Sequence, residues 1–484
     1  MTSGQAWDAL YSGILVAQVA AAFPAYAGGA LGEQAVANAM RWHDALVVLG
    51  GGTPDLDLNI TGFDFGNMVP FTEPSIYRQP TSAAGVAWIA LAAAEWLAYR
   101  GGNGAPQLPR LREALDWSLG YLDELARRGD IVFFENLLAF GALAAARSNA
   151  ARGTSFDVGA MLAMAFQDGS RNQKHGWGVL AGQVWGGIDV SGLAGFVTTW
   201  DESLPWGAGG NESYPGDTLW LAGLAYYTRP PPPSLALILT RSQSRPGRPN
   251  PLHIPPHSAA VPIARYNGSF ARALATFVLN ACSASRHFYA DQLPASSQTD
   301  FGDVRNPGAV FPYEALRACD YVRERANCTA DSAAPFATGD YGCEYPSFSP
   351  ECAITPRECP NCTNLCGYQG GSVGVAAALC APTNVRAVLQ SDLLATDAFH
   401  APAFPTFLVS NPHAEAVSVA ISVPGCGLVH WATPRDGRAG ATPRSCAVTD
   451  ASSGAVLARG AAAGGSATID VPPETALVVV LVPE

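Results

Sequence analysis

Residues 83–98 read AAGVAWIALAAAEWLA, and this stretch decides the predicted fold. Its large apolar side chains recur near helical spacing: Trp88, Ile89, Trp96 and Leu97. The stretch therefore predicts a helix that ends at Tyr99. Because small alanines occupy most positions between the large side chains, the helix is apolar nearly all round and has to be buried on all sides. We expect it to lie in an inner ring of helices.

Further helices are predicted before and after this stretch, joined by Gly-rich loops. They cover two segments within 11–48 and the ranges 108–127, 133–151, 156–167, 217–227, 270–289, 313–325 and 383–397. From residue 417 the pattern changes to short β-branched segments between turn residues: 417–423, 428–431, 446–449, 456–459, 467–471 and 475–482. The fold class that follows is mainly α: an (α/α) toroid of about six helical hairpins, then a small C-terminal antiparallel β-sandwich.

The predicted domain boundary lies near Pro405. Residues 1–404 form the toroid, a catalytic-type domain, and residues 405–484 form the β-sandwich. Two insertions interrupt the toroid, a Pro-rich one over 229–258 and a Cys-rich one over 319–366. The first has few apolar residues, which is typical of a surface loop.

Composition limits the partners. The chain has 484 residues, of which 48% are hydrophobic and 14% charged, so it can bury a large core. The formal net charge of −12 argues against nucleic acid, because a phosphate backbone needs a basic surface. No apolar run is long enough to cross a bilayer without a Pro or Gly break, so no integral membrane segment is predicted. The oligomeric state stays open.

Cysteines and glycosylation sequons indicate the compartment. Eight of the eleven cysteines lie between Cys319 and Cys380. N-x-S/T sequons begin at Asn59, Asn211, Asn267, Asn327 and Asn361. Together they predict a disulfide-bonded glycoprotein that is secreted, in an extracellular or lumenal compartment. The odd number leaves at least one thiol free or intermolecular.

A zinc knuckle is the alternative for part of the Cys-rich insertion, at Cys359, Cys362 and Cys366. Zinc needs four well-spaced ligands, so disulfides are favoured and neither a metal nor a cofactor is predicted.

A second stretch, 176–206, combines tryptophans with glycines and polar side chains. Indole rings stack on the C–H faces of sugars, and carboxylates and hydroxyls bind sugar hydroxyls. The stretch therefore favours a sugar-binding cleft, with Trp177, Trp185 and Trp200 as platforms and Asp189 and Ser191 between the glycines. The alternative is a buried aromatic core with glycine turns.

The candidate acid and base are carboxylates. Glu135 interrupts the apolar run VFFENLLAF, and a buried carboxyl with a raised pKa suits a general acid. Asp189 is the candidate base, with Glu314 and Asp340 in reserve. The structural alternatives are an acid that ties helices together for Glu135, a helix-dipole partner for Glu314 and an Asx turn for Asp340. Asp64, in the loop motif GFDF, is a further substrate-binding candidate.

A uronate lyase is the competing chemistry, in which a base removes the proton α to a carboxyl group. Tyr289 and Tyr313, with His287 or Arg286, are the best set for this, and Asn136 or Arg286 would neutralise the carboxyl group. His400 is interpreted as a structural donor. The sequence contains no G-x-S-x-G, H-E-x-x-H, P-loop or G-x-G-x-x-G motif that would indicate a different reaction.

The whole pattern resembles the (α/α)-toroid carbohydrate-active enzymes, a group of glycoside hydrolases and polysaccharide lyases. The segments ENLLAFGALAAARSNA, GGIDVSGLAG, FPYEAL, FATGD and DLLATDAFHAPAFPTFLVSNP also look like stretches of uncharacterised bacterial proteins with the same layout. The resemblance implies a fold and a substrate class but carries over no catalytic motif.

We therefore expect a secreted enzyme that hydrolyses the glycosidic bonds of a polysaccharide, with Glu135 as acid and Asp189 as base. The alternatives are a polysaccharide lyase and a non-catalytic glycan-binding or wall protein.

Overall fold

The computed structural model describes residues 4–72, 78–102, 104–128, 137–166, 257–284, 379–432 and 445–484, together with Leu180 and four two-residue strands between 184 and 214. The chain divides into two compact units. Unit 1 contains Met1–Ala165, Ser258–Ala275 and Leu379–Glu484, and unit 2 contains Phe166–His257 and Thr276–Ala378. Most of the described residues belong to unit 1.

The described residues form eight helices, and four of them pack around one apolar helix. Their bounds are α1 (Ala6–Ala22), α2 (Ala30–Leu49), α3 (Ser82–Tyr99), α4 (Leu108–Arg128), α5 (Leu137–Arg152), α6 (Val158–Phe166), α7 (His257–Ile263) and α8 (Gly268–Ala284). The helix α3 packs against α1, α2, α4 and α5, and its indoles Trp88 and Trp96 are buried. This packing satisfies its all-round apolar surface.

Two glycines allow the neighbouring helices to approach α3 closely. A Cβ on Gly141 of α5 would lie 2.6 Å from the Cβ of Ala84 on α3. A Cβ on Gly32 of α2 would lie 1.9 Å from the Cε2 of Trp96. Because glycine has no Cβ, both contacts form without overlap.

The predicted toroid is wrong. The described residues are 46% helical and 22% strand, and they contain no ring of helical hairpins. The helix α3 is buried because four helices surround it as the centre of a cluster, and not because it lies in an inner ring. An all-round apolar pattern requires that a helix be covered, but it does not specify how the covering helices are arranged.

The described residues also form short strands, three in the helical part of unit 1 and four in unit 2. In unit 1, β1 (Gly4–Gln5), β2 (Gly62–Asp64) and β3 (Val69–Phe71) form a three-stranded antiparallel sheet. In unit 2, β4 (Val184–Trp185) pairs with β5 (Ile188–Asp189), and β6 (Gly195–Phe196) pairs with β7 (Ser213–Tyr214). Both predicted insertions lie outside the described residues, apart from the start of α7 at the end of the Pro-rich one.

The C-terminal region is a sheet. Its strands are β8 (Cys380–Pro382), β9 (Leu389–Asp392), β10 (Thr406–Asn411), β11 (Val417–Val423), β12 (Ser445–Asp450), β13 (Val456–Ala462), β14 (Gly465–Val471) and β15 (Thr475–Pro483). Six of them form an antiparallel sheet in the order β13-β12-β15-β10-β9-β8, while β11 and β14 pair separately. A disulfide joins Cys426 to Cys446, with the Cα atoms 5.7 Å apart.

Alternating side chains build the core of this region. In β11, Val419, Ile421 and Val423 are buried while Ser418 and Ser422 are exposed. They pack with residues of the six-stranded sheet such as Val409 and Val479. The strand segments predicted from residue 446 onward are confirmed, but 428–431 contains only one isolated bridge, at Val429.

The helix predicted over 383–397 is also wrong. Leu389–Asp392 is instead the strand β9, which pairs with both β8 and β10. The segment can read locally as a helix, but pairing on two sides makes it part of the sheet, since tertiary pairing overrides local propensity.

One helix of the described residues, α3, is long and apolar enough to cross a bilayer by length and composition alone. An apolar helix in a protein core passes the same test, and 78% of this one is buried.

Candidate functional site

Most residues proposed from the sequence lie outside the described residues. They are Glu135, Asn136, Trp177, Ser191, Trp200, Arg286, His287, Tyr289, Tyr313, Glu314 and Asp340. For Trp185 and Asp189 only the backbone is described, in β4 and β5. The geometry among these side chains therefore stays a prediction.

Asp64 is the one proposed site residue whose side chain is described. It ends β2, and its Oδ1 accepts a hydrogen bond from the backbone N–H of Gly66 at 2.8 Å. Its Oδ2 accepts one from Nδ2 of Asn67 at 2.7 Å. This carboxylate therefore fixes the turn between β2 and β3, as aspartates commonly do in turns.

A charged cluster lies in unit 1, with residues from α3, from α5, from the turn between α7 and α8 and from the segment after β9. We use this name for Glu95, Arg147, Arg265 and Asp397. The carboxylate of Asp397 is fully buried and pairs with Nη2 of Arg147 and, at 2.7 Å, with Nη1 of Arg265. Arg147 also donates from Nη2 to the carbonyl oxygen of Ala398 at 2.8 Å. The cluster thus holds two guanidinium groups around one carboxylate.

Arg147 has unused hydrogen-bonding capacity. Among the described residues its buried Nε and Nη1 atoms have no hydrogen-bond partner, while the guanidinium carbon lies 5.1 Å from the centre of the Trp88 ring. Stacking of this kind stabilises the charge but does not replace hydrogen bonds. The buried cation therefore favours a negative charge beside it.

Glu95 is the candidate for this negative charge, because the charge of Arg147 acts on its carboxyl group. It lies on α3, half-buried, and burial raises its pKa above the usual value, although the positive charge of Arg147 acts in the opposite direction. Burial also raises the pKa of Tyr266, with a further contribution from the charge of Asp397. Both groups therefore hold their protons to higher pH than they do in water.

His400 is a further buried polar residue, and the charges of the charged cluster act on it. Its Nδ1 lies 2.7 Å from the carbonyl oxygen of Ala401, so Nδ1 carries the proton and the Nε2 lone pair is the ring's acceptor. Burial lowers the pKa of His400, which favours the neutral ring. Its predicted role as a structural donor is confirmed by this hydrogen bond.

An aromatic surface lies beside the charged cluster. It consists of Tyr99, His430 and Trp431, and 43% of Tyr99 is exposed. The centre of the Tyr99 ring lies 4.9 Å from that of Trp431 and 5.8 Å from that of His430. Trp431 also packs on Phe399, with ring centres 4.7 Å apart. Phe399 follows Asp397 by two residues, and Tyr99 follows Glu95 by one helical turn, so the surface and the cluster adjoin.

Sequence reasoning missed the charged cluster, although one signal for it was present. Glu95 interrupts the run IALAAAEWLAY just as Glu135 interrupts VFFENLLAF. The same argument, that a carboxyl in an apolar run has a raised pKa, applies to both. The pairing of Arg147 with Asp397 had no local signal, because the two residues are 250 positions apart.

No group of His, Cys, Asp and Glu suited to hold a metal ion occurs in the part of the chain that the structure describes. Comparison with protein-family models, with curated proteins and with solved structures gives no match to this chain.

Proposed function

We propose that this protein is a secreted carbohydrate-active enzyme that hydrolyses the glycosidic bonds of an extracellular or cell-wall polysaccharide with a pair of carboxylates. The observation that carries the proposal is the aromatic surface of the exposed Tyr99 and the half-buried His430 and Trp431, one helical turn from the half-buried carboxyl of Glu95.

The aromatic surface fits a sugar ring chemically. The rings of Tyr99 and Trp431 offer apolar area to the C–H face of a pyranose, and the Trp431 N–H is a hydrogen-bond donor for its hydroxyls. The tryptophans of 176–206 are groups of the same chemical type and stay candidates from the sequence.

The Cys426–Cys446 disulfide supports the secreted location. Disulfides persist in oxidising compartments and are rare in the cytosol. Asn59, the first residue of a sequon, is exposed in the loop before β2, where a glycan would be accommodated.

Glu135 and Asp189 stay the proposed acid and base from the sequence. The test is a panel of neutral and acidic polysaccharides, incubated with wild-type protein and with the variants Glu135→Gln and Asp189→Asn. New reducing ends without an unsaturated product, lost in both variants, would support the hydrolase and this pair.

A lyase is the second candidate, in which Tyr289 and Tyr313, with His287 or Arg286, would act on a uronate polymer by β-elimination. A lyase produces new reducing ends together with the ultraviolet absorbance of an unsaturated uronate. A panel with no product at all, but with retained glycan binding, would leave the non-catalytic alternative.

A further inference from the structure

The guanidinium group of Arg147 is buried while most of its donors are unused. Its side chain is 9% exposed, and its Nη2 atom binds Asp397 and the carbonyl oxygen of Ala398. Among the described residues Nε and Nη1 have no hydrogen-bond partner, so one N–H on Nε and two on Nη1 remain. Because folded proteins rarely leave buried donors without an acceptor, Arg147 needs a further acceptor to complete its hydrogen bonding.

The charges of the cluster favour an anion as that acceptor. Arg147 and Arg265 share one carboxylate, that of Asp397, and each of its two oxygens pairs with one arginine. One positive charge is therefore left without a matching carboxylate. Glu95 makes no hydrogen bond to the unused donors, and burial raises its pKa, so it holds its proton more tightly than an ordinary glutamate does. An anion that accepts hydrogen bonds from Arg147 would balance the remaining charge.

A carboxylate suits this place in charge and in geometry. Its single negative charge equals the excess positive charge, and guanidinium groups bind carboxylates through charge-assisted hydrogen bonds, as they do with Asp397 here. The hydroxyl group of Tyr266 lies beside Arg147 and can act as a further donor. The cluster reaches solvent at its edge, because Glu95 is half-buried and the Arg265 side chain is 17% exposed.

The charged cluster lies within reach of a saccharide on the aromatic surface. Ala398, which binds Arg147, is followed by Phe399, and the centre of the Phe399 ring lies 4.7 Å from that of Trp431. On the other side, Tyr99 follows Glu95 by one turn of α3. When one sugar unit of a chain stacks on the aromatic surface, a neighbouring unit can therefore approach the cluster.

We propose that the charged cluster binds the carboxylate of an acidic saccharide, with Arg147 as the main ligand and Arg265 beside it. The protein then selects chains that contain uronate units over neutral chains. This inference rests on the proposed function and names its substrate class. The net charge of the protein is −12, so the selectivity comes from the local cations and not from the overall charge.

Paired oligosaccharides test the carboxylate directly. Oligogalacturonate and oligomannuronate are each compared with the same oligosaccharide after chemical reduction of its carboxyl groups to hydroxymethyl groups. The oligosaccharides are titrated calorimetrically into the whole chain at about 0.15 M salt, which screens the repulsion by the net charge. We expect the wild-type protein to bind one acidic form about 10- to 100-fold more tightly than its reduced form, as for a hydrogen-bonded charge.

Arg147→Lys and Arg265→Lys test where the carboxylate binds. Each lysine keeps a positive charge for Asp397, but an ammonium group has only three N–H donors. At position 147, Asp397 and Ala398 would use two of them. We expect Arg147→Lys to weaken binding of the acidic form by about tenfold or more and Arg265→Lys by about threefold or more, with binding of the reduced form unchanged.

The matched control is Arg110→Lys in the pair with Asp44, where the arginine side chain is 44% exposed. It is expected to keep both affinities. Circular dichroism and thermal unfolding verify that each variant is folded. If Arg147→Lys does not fold, Arg265→Lys decides the location, because the Arg265 side chain is the more exposed of the two.

The outcomes separate this inference from the proposed function. Equal affinity of the wild-type protein for the acidic and reduced forms, or no binding of either, would overturn the inference, while hydrolysis of the polysaccharide panel decides the function independently. An acid preference that persists unchanged in the folded lysine variants would also overturn it, because the carboxylate would bind elsewhere. An acid preference lost in these variants, in a protein that hydrolyses no polysaccharide, would support the inference and overturn the hydrolase.

Discussion

Two ionic clusters in unit 1 contain the same residue types in opposite surroundings. In the charged cluster, the side chain of Asp397 is 0% exposed and those of Arg147 and Arg265 are 9% and 17% exposed. Between α2 and α4, Asp44 pairs with Arg110, and these side chains are 48% and 44% exposed. His43 joins the second cluster through a contact of 2.7 Å between its Nε2 and Oε2 of Glu113.

The difference in burial determines what each cluster contributes. Charges at the surface are screened by water, so their pairing contributes little to stability. Buried charges depend on their partners, because losing one leaves the other uncompensated in a medium of low polarity. Because it is buried, the charged cluster contributes more to stability than the surface cluster does. It also adjoins the aromatic rings of Tyr99, His430 and Trp431.

The largest expected effect comes from Asp397. Replacing it by Asn keeps the shape but removes the charge that Arg147 and Arg265 share, so we expect the free energy of unfolding to fall by about 3–5 kcal/mol. Denaturant unfolding of Asp397→Asn and Asp44→Asn compares the two clusters, and the surface variant should lose about 0–1 kcal/mol. Equal losses in the two variants would show that burial does not separate the clusters.

The next effect concerns the packing of α3 beneath the aromatic surface. In Gly32→Ala the new methyl group would overlap the Trp96 indole, so we expect a loss of about 1–3 kcal/mol. Gly120→Ala on α4 is the matched control, because no described atom outside its own stretch of helix lies within 4 Å of the added Cβ. Helix propensity alone should stabilise that variant, by up to about 1 kcal/mol. Thermal unfolding measures both, and a Gly32→Ala protein as stable as the control would contradict the close contact.

A smaller effect on stability depends on pH and comes from the carboxyl group of Glu95 in the charged cluster. The folded-state pKa of Glu95 is raised, so the folded protein binds this proton more tightly than the unfolded chain does. Stability is therefore lost as pH rises from 4.5, the ordinary pKa of a glutamate, through the folded pKa. Glu95→Gln removes this loss, so its stability relative to wild type should increase over that window. Unfolding curves at several pH values check this, and a constant difference would contradict the raised pKa.

The sequence predicted local elements far better than their arrangement. Helix α3 was expected over 83–99 and lies at Ser82–Tyr99, and the strand expected over 417–423 is β11. Both follow from side-chain periodicity, which is a local property. The toroid failed because periodicity shows that α3 is covered but not that α1, α2, α4 and α5 surround it.

For the candidate site, the sequence could predict the type of residue involved but not which distant residues lie beside it. A carboxyl in an apolar run was recognised at Glu135, and the same signal at Glu95 leads to a carboxyl whose pKa burial raises. Its partners come from distant parts of the chain, Arg147 on α5 and Asp397 after β9, and no spacing rule connects them. Such contacts are decided by the tertiary fold.

Saccharide binding by the aromatic surface is the central claim, and isothermal titration calorimetry tests it most directly. Oligosaccharides from the polysaccharide panel are titrated into wild-type protein, Trp431→Ala and Trp117→Ala. Trp117 is the matched control, because it stacks on His43 in the surface cluster, with ring centres 6.3 Å apart. We predict that Trp431→Ala weakens binding by about 10- to 100-fold, which corresponds to the contact area of one aromatic ring, while Trp117→Ala binds like wild type. Equal affinity of Trp431→Ala and wild type would contradict the claim.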